Sequence, residues 1–161
     1  MSSGIGYDCH RLVVGRRLVI GGVELEREDG RGLEGHSDAD VLTHAIIDAI
    51  LGACGLGDIG EHFPDTDPRY RGADSLRLLR ETVTMASEAG YAIQHVDTTV
   101  VLERPRLAPV RDRIRATLAE ALGLGGAEHV SVKATRGEGM GFVGREEGIA
   151  ALAIATVEQT R

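Results

Sequence analysis

The chain has no tryptophan, and aromatics make up only 3% of its 161 residues. A core must therefore be assembled from Ala, Val, Leu and Ile, which leaves it thin for its area and favours a face covered by another subunit. Cysteine is scarce as well: Cys9 and Cys54 alone make no disulfide framework. No basic segment followed by an apolar run opens the chain, and no apolar stretch approaches membrane length. These absences predict a soluble cytoplasmic protein with reduced thiols and no membrane partner. Basic charge is short too. The formal net charge is -7 with a pI near 5.3, and Lys133 is the only lysine. Sequence-independent nucleic-acid binding, which needs a basic footprint, is thereby disfavoured. A phosphorylated ligand would have to be met by metal ions or a few placed arginines. The length fits a single domain, residues 1–161.

Patterning predicts strands over Ser3–His10 and Arg17–Leu25, with a turn near Gly15, then a charged loop over Glu26–Gly35. Ser37 reads as the N-cap of a helix running to about Cys54. Gly55–Gly72 is a long polar loop whose prolines, carboxylates and aromatics favour an ordered site. A second helix runs from Asp74 or Ser75 to about Ala89, a strand follows over Ala92–Leu102, and Pro105 breaks it. A third helix spans about Pro109–Leu122, and strands are expected at His129–Ala134 and Gly148–Glu158. The class is α+β: a mixed sheet of four or more strands with helices on one face. The other face then needs a cover, which sheets facing inward in a homo-oligomer would supply.

In a strand, Asp8 and His10 point to one side and Cys9 to the other. On the first helix, Asp40, His44 and Asp48 form a polar stripe. The stripe fits a solvated helix face, and it equally fits His44 completing an Asp-His-His metal site with the flanking carboxylates orienting its ring. Three N/O ligands with an open position are the arrangement of a catalytic zinc.

The chain carries GYDCH, then GHSDADVLTHAIIDAILGA, then GDIGEHFPDTDP, then KATRGEGMGFVGREEGIA. Together these resemble the 2-C-methyl-D-erythritol 2,4-cyclodiphosphate synthases, enzymes of the non-mevalonate (MEP) isoprenoid pathway, from about Gly4 to Ala155. The resemblance implies a homotrimer with active sites between neighbouring subunits. It implies zinc on Asp8, His10 and His44, and a second divalent cation, magnesium or manganese, held by substrate phosphates and Glu138. His36-Ser37, Asp58-Ile59-Gly60 and Phe63-Pro64-Asp65-Thr66-Asp67 match substrate-contacting loops, with Asp58 on the ribose. Leu102, Glu103, Arg104, Pro105, Arg106, Leu107 and Ala108, with Ala134, Thr135 and Arg136, would surround the cytosine from the adjacent subunit. Phe142 and Arg145 are further substrate-side positions. Tyr7, Arg145 and Glu147 would line a central trimer cavity of a kind that can hold an isoprenoid diphosphate. The implied reaction is attack of the 2-phosphate of 4-diphosphocytidyl-2-C-methyl-D-erythritol 2-phosphate on the β-phosphorus, releasing CMP.

That chemistry needs no strong base, because the nucleophile is an already ionised phosphate oxygen, and no Ser-His-Asp triad is evident. Two cations would offset the repulsion between reacting anions. Once both ends are pinned, proximity supplies on the order of 7–11 kcal/mol. His36, just before the helix N-terminus, suits a phosphate donor and transition-state stabiliser.

Three features depart from the family pattern. Where many members read K-A-T-T-T-E, this chain has Lys133-Ala-Thr-Arg-Gly-Glu138. Arg136 is expected to donate to phosphate oxygens in place of a hydroxyl, with retained activity and altered metal dependence. Where members tend to read G-R-G-E-G, this chain has Gly144-Arg-Glu-Glu-Gly148, so Glu146 adds a charge expected beside the trimer cavity. The loop between His10 and His36 differs slightly in length. Some members are fused to a cytidylyltransferase, for which 161 residues leave no room. A zinc phosphohydrolase and a trimeric binding protein with structural zinc are the rival readings.

Overall fold

The computed structural model describes residues 1–160. Its elements, in chain order, are β1 (Ser2–Val14), β2 (Leu18–Ile20), β3 (Val23–Leu25), β4 (Arg31–Leu33), α1 (Val41–Cys54), α2 (Ile59–His62), α3 (Ser75–Glu88), β5 (Tyr91–Val101), α4 (Arg111–Ala121), β6 (Val130–Thr135), α5 (Gly141–Gly144) and β7 (Gly148–Gln159). Five strands form one mixed sheet in the order β4-β1-β7-β5-β6. β5 and β6 are parallel and the other neighbours antiparallel. The expected α+β class, with helices on one face of a mixed sheet, is borne out.

The strand period decides how closely α1 approaches this sheet. Gly4, Gly6, Asp8 and His10 share one face of β1. A Cβ on Gly4 would stand 2.1 Å from the Ala49 carbonyl oxygen, and one on Gly6 1.8 Å from that of Ala45. Both glycines therefore let the helix backbone rest directly on the strand. Small residues do the same on the adjacent strand, where Ala151, Ala153 and Ala155 are buried. The apolar face of α1 supplies Leu42, Ile46, Ile47, Ile50 and Leu51, all fully buried, and Leu79, Ile114 and Leu118 close over it from α3 and α4. The core is aliphatic, as the scarcity of aromatics requires. The opposite sheet face carries exposed Ile5, Tyr7, Leu152 and Ile154. The register pairs Ile5 with Ile154 and Tyr7 with Leu152, so they form one apolar ladder.

Several expected boundaries shift. The single strand over Arg17–Leu25 is a hairpin, because Gly21 and Gly22 at φ 58 and 74 make its two-residue turn. The charged loop after it contains β4. The N-cap of α1 is Asp40 and not Ser37: its carboxylate accepts from the Thr43 amide at 3.0 Å and the Thr43 hydroxyl at 2.7 Å. It also accepts from the amides of Gly21 and Gly22, at 2.8 and 2.7 Å, which pins the hairpin to the helix. The long polar loop is ordered by α2 and a 3-10 turn at Pro68–Tyr70, capped by Asp58 and Asp67. Among the described residues, no helix is long and apolar enough to cross a membrane.

Candidate active site and metal centre

With α1 seated on Gly4 and Gly6, its first turns bring His44 over the next two residues of the same strand face. Asp8 Oδ2 lies 2.8 Å from His10 Nε2 and 3.1 Å from His44 Nδ1, and the two ring nitrogens are 3.2 Å apart. A tetrahedral site with metal–ligand distances of about 2.0–2.1 Å has edges of about 3.3–3.4 Å. The observed triangle needs only a slight expansion to match. Among the described residues, these three could hold a metal ion.

The surrounding hydrogen bonds decide where the protons sit. His10 Nδ1 is 2.9 Å from the Glu34 carbonyl oxygen, which can only accept, so Nδ1 carries the proton and the Nε2 lone pair faces the cluster. His44 Nε2 lies 3.0 Å from Ser37 Oγ and 2.9 Å from Ser75 Oγ. The Ser75 hydroxyl proton goes to Asp38, whose other oxygen accepts from the Ser75 amide at 3.0 Å. Ser75 therefore accepts from His44 Nε2–H, which leaves Nδ1 bare. With both histidines neutral, three lone-pair donors thus converge, an arrangement suited to a cation. The carboxylate draws positive charge to this point, and a proton on His44 Nδ1 competes with a cation for it. Burial raises the Asp8 pKa, but hydrogen bonds to His10 and His44 more than reverse this and hold it at about 2. Burial lowers the His44 pKa, and the Asp8 carboxylate more than compensates, so His44 ends above its ordinary value.

Asp8, His10 and His44 open onto a cavity of about 320 Å³ that also takes in His36, Ser37, Ile59, Phe63 and Asp65. Sequence reasoning missed Tyr70 and Leu78, which complete its apolar wall, with Tyr70 edge-on to Phe63 at 5.4 Å between centroids. It also missed Ser75 and Asp38 as the support for His44. The flanking carboxylates do not orient that ring: Asp40 caps α1, and Asp48, which lines the cavity, accepts from the Ile59 amide at 2.8 Å. His36 Nε2 is 3.2 Å from the Asp67 carbonyl oxygen, so the histidine is tied to the polar loop. Asp58, Gly60, Pro64, Thr66 and Asp67 lie beside this cavity in sequence and do not line it. The Asp58 carboxylate caps α2, and that of Asp67 pairs with Arg69 at 2.6 Å.

A second cavity, of about 310 Å³, lies at the C-terminal ends of the parallel strands β5 and β6, where ligands commonly bind in such sheets. Its lining contains Leu102, Glu103, Arg104, Pro105, Arg106, Leu107 and Ala108, with Ala134, Thr135 and Arg136, and adds Arg111. Every residue expected around the base is thus together, in a cavity sharing no residue with the first. Arg136 is not unpaired there: its guanidinium donates to Glu103 Oε2 at 3.0 and 3.3 Å.

The remaining expected positions lie elsewhere. Glu138 is exposed, at φ 53, outside the three-residue metal cluster. Arg145 and Glu147 are not on an extended segment. They flank the turn after α5 and pair with each other at 3.2 Å. Phe142 borders a small cavity with Cys9, Arg11 and Glu147, and Tyr7 stands on the uncovered sheet face. Glu146 does not add a free charge: it pairs with Arg104 at 2.6 Å and Arg27 at 3.1 Å.

An α+β layer whose three convergent side chains could hold a divalent cation with a position left open, beside a mixed polar and apolar cavity, has the features of a metal-dependent enzyme site. The chain belongs to the YgbB family, whose model matches residues 1–158, as the four motifs predicted. It is 55% identical over 160 residues to 2-C-methyl-D-erythritol 2,4-cyclodiphosphate synthase of Alkaliphilus metalliredigens, covering 99% of both chains. It is 61% identical over 155 residues to the bifunctional enzyme IspD/IspF of Anaeromyxobacter dehalogenans, covering 96% of this chain and 39% of that protein. The chain therefore spans about two fifths of the length of such bifunctional relatives. The Plasmodium falciparum IspF–CDP complex matches at 29% identity with a TM-score of 0.85, over 99% of this chain and 97% of that one.

Proposed function

We propose that this chain, as a single domain, cyclises 4-diphosphocytidyl-2-C-methyl-D-erythritol 2-phosphate to 2-C-methyl-D-erythritol 2,4-cyclodiphosphate and releases CMP. The observation that carries the reading is the convergence of Asp8 Oδ2, His10 Nε2 and His44 Nδ1 on one point at a cavity wall. The synthase relatives matched over nearly their full length support it. The CDP held by the Plasmodium relative supports a cytidine nucleotide in the cavity between Leu102 and Arg136.

A divalent cation, zinc on Asp8, His10 and His44, would draw charge from a phosphoryl oxygen and make its phosphorus more electrophilic. The rest falls to side chains. The 2-phosphate oxygen attacks the β-phosphorus, and the bond from that phosphorus to the CMP oxygen breaks. CMP leaves as an anion, so no base has to remove a proton. His36 lines the cavity, and its Nε2–H is given to the Asp67 carbonyl, so donation to a phosphoryl oxygen would fall to Nδ1 of the doubly protonated ring. Phe63, Tyr70, Leu78 and Ile59 exclude water from one wall and suit the methyl group. Arg136 brings a guanidinium to the phosphate side of the nucleotide cavity once it exchanges Glu103 for the ligand. Glu138 and the substrate phosphates would share magnesium or manganese.

Three copies packed by their uncovered sheet faces complete the reading. The ladder of Ile5, Tyr7, Leu152 and Ile154 suits burial between copies, and the two cavities, separate within one chain, would meet across the subunit boundary. Tyr7, Arg145 and Glu147 would then face the trimer axis, where an isoprenoid diphosphate is the candidate occupant. A cytoplasmic setting belongs to the same reading, with Cys9 and Cys54 both free thiols.

Phosphorus NMR of the purified chain with this substrate, zinc and magnesium tests the activity. Appearance of CMP and the cyclic diphosphate, lost in His44→Ala, is expected. Release of inorganic phosphate instead would make the chain a hydrolase and overturn the proposal.

A further inference from the structure

Two of the departures from the family pattern meet in space. The charged loop between β3 and β4 carries Arg27, Asp29 and Arg31, and the turn after α5 carries Glu146. The Arg27 side chain is buried, 3% exposed. Its guanidinium donates to both Asp29 oxygens, at 3.0 and 2.7 Å, and to Glu146 Oε1 at 3.1 Å. It also donates to the backbone carbonyl of Arg104. Arg31 bridges the same groups, reaching Asp29 Oδ2 at 2.9 Å and the Glu146 carbonyl oxygen at 2.8 Å. The Arg104 side chain closes the ring with two bonds to the Glu146 carboxylate, at 2.6 and 3.0 Å. Paired bonds of this kind between a guanidinium and a carboxylate fix orientation as well as distance.

Glu146 holds this position in the left-handed region, at φ 55, where glycine would be at ease and a side chain is strained. Its carboxylate makes bonds there that glycine could not, two from Arg104 and one from Arg27. What it grips is Arg104, which together with Pro105 forms part of the rim of the cavity at the ends of β5 and β6. Glu146, Arg27 and Asp29 are absent from that lining. The carboxylates of Glu146 and Asp29 titrate accordingly. Hydrogen bonds from Arg104 and Arg27 outweigh burial and hold Glu146 below its ordinary range, and those from Arg27 and Arg31 do the same for Asp29.

We propose that Glu146, Arg27 and Asp29 form a clamp that positions the Arg104–Pro105 segment and so sets the affinity of the nucleotide cavity from outside it. Glu146 is a positioning residue: it acts through Arg104 and touches no ligand. The proposal rests on the nucleotide reading of that cavity.

The test is calorimetric titration of CDP into the purified 161-residue chain, with steady-state kinetics alongside. Glu146→Gly is the informative variant, because it removes the carboxylate while relieving the backbone strain, so the turn still forms. It should weaken CDP binding about tenfold and raise KM to a similar degree, with kcat changed less than about twofold. Glu146→Asp should recover part of the loss. Adding Glu146→Gly to Arg104→Ala should cost little more than Arg104→Ala alone, because both remove the same link. Wild-type CDP affinity and KM in Glu146→Gly would overturn the clamp while leaving the nucleotide cavity standing. Failure of the wild-type chain to bind CDP would overturn the nucleotide reading and the clamp with it.

Discussion

The cavity around His44 and the cavity around Arg104 differ in what holds their walls. The first is built where α1 presses on a strand stripped to glycine, and its histidines are locked by a backbone carbonyl and two buried-side hydroxyls. The second is lined by the loop between β5 and α4 and by the end of β6, and its Arg104 is steadied by guanidinium–carboxylate pairs reaching in from segments far away in sequence. Rigid packing suits a site that must hold three ligand atoms within a few tenths of an ångström. Charge pairs between loops suit the proposed nucleotide site, which must admit and release its ligand, because a loop held in this way can open locally while the packed core stays closed. The first cavity should therefore fail abruptly when altered, and the second by degrees.

The largest effect is expected from His44→Ala. It leaves two of the three ligand atoms, and turnover should fall at least about 1000-fold with loss of tightly held zinc, read by metal analysis after dialysis. Next comes Gly6→Val. Its Cβ would stand 1.8 Å from the Ala45 carbonyl oxygen, so the helix must lift, at a cost of about 3 kcal/mol or more in urea unfolding. Gly139→Ala, with open space around it but φ 76, should cost only about 1 kcal/mol. Equal costs for the two would break the contrast between packed and loose regions. Ser75→Ala should lower zinc affinity about tenfold, the low end of the usual range, since Ser37 still faces His44 Nε2. The smallest effect is a pH dependence at the clamp. The folded-state pKa of Glu146 lies below its ordinary 4.5, so its stabilising share is complete above about pH 4.5 and fades as pH falls through the folded value. The difference in Tm between wild type and Glu146→Gln should accordingly shrink in acid. A gap that widens in acid would contradict the ion-pair account.

Much of the first cavity was legible because its rules are local. The two-residue spacing put Asp8 and His10 on one strand face, and helix spacing put His44 in a polar stripe that fitted a solvated face as well as a metal ligand until the resemblance chose between them. The supports for His44 were hidden: Ser75 lies 31 residues further on, and its link to Asp38 depends on how α3 docks. Asp40 was misread for the same reason, since its partners Gly21 and Gly22 come from a hairpin that a continuous strand would not contain. Around the second cavity, the segments were assigned through the resemblance, and their meeting follows from parallel pairing of β5 with β6. The partners of Arg136 and Glu146 were not legible, because ion pairs between distant loops leave no periodic trace.

The central claim is that one active site combines the metal cavity of one copy with the nucleotide cavity of another. The direct measurement mixes two inactive variants, His44→Ala and Ala134→Trp, the latter filling the nucleotide cavity, then dissociates and reassembles them and assays cyclisation. Activity returning in the mixture, and in neither variant reassembled alone, is the expected result. A mixture as inactive as its components, although mixed assemblies have formed, would contradict the claim and place the whole site within one chain.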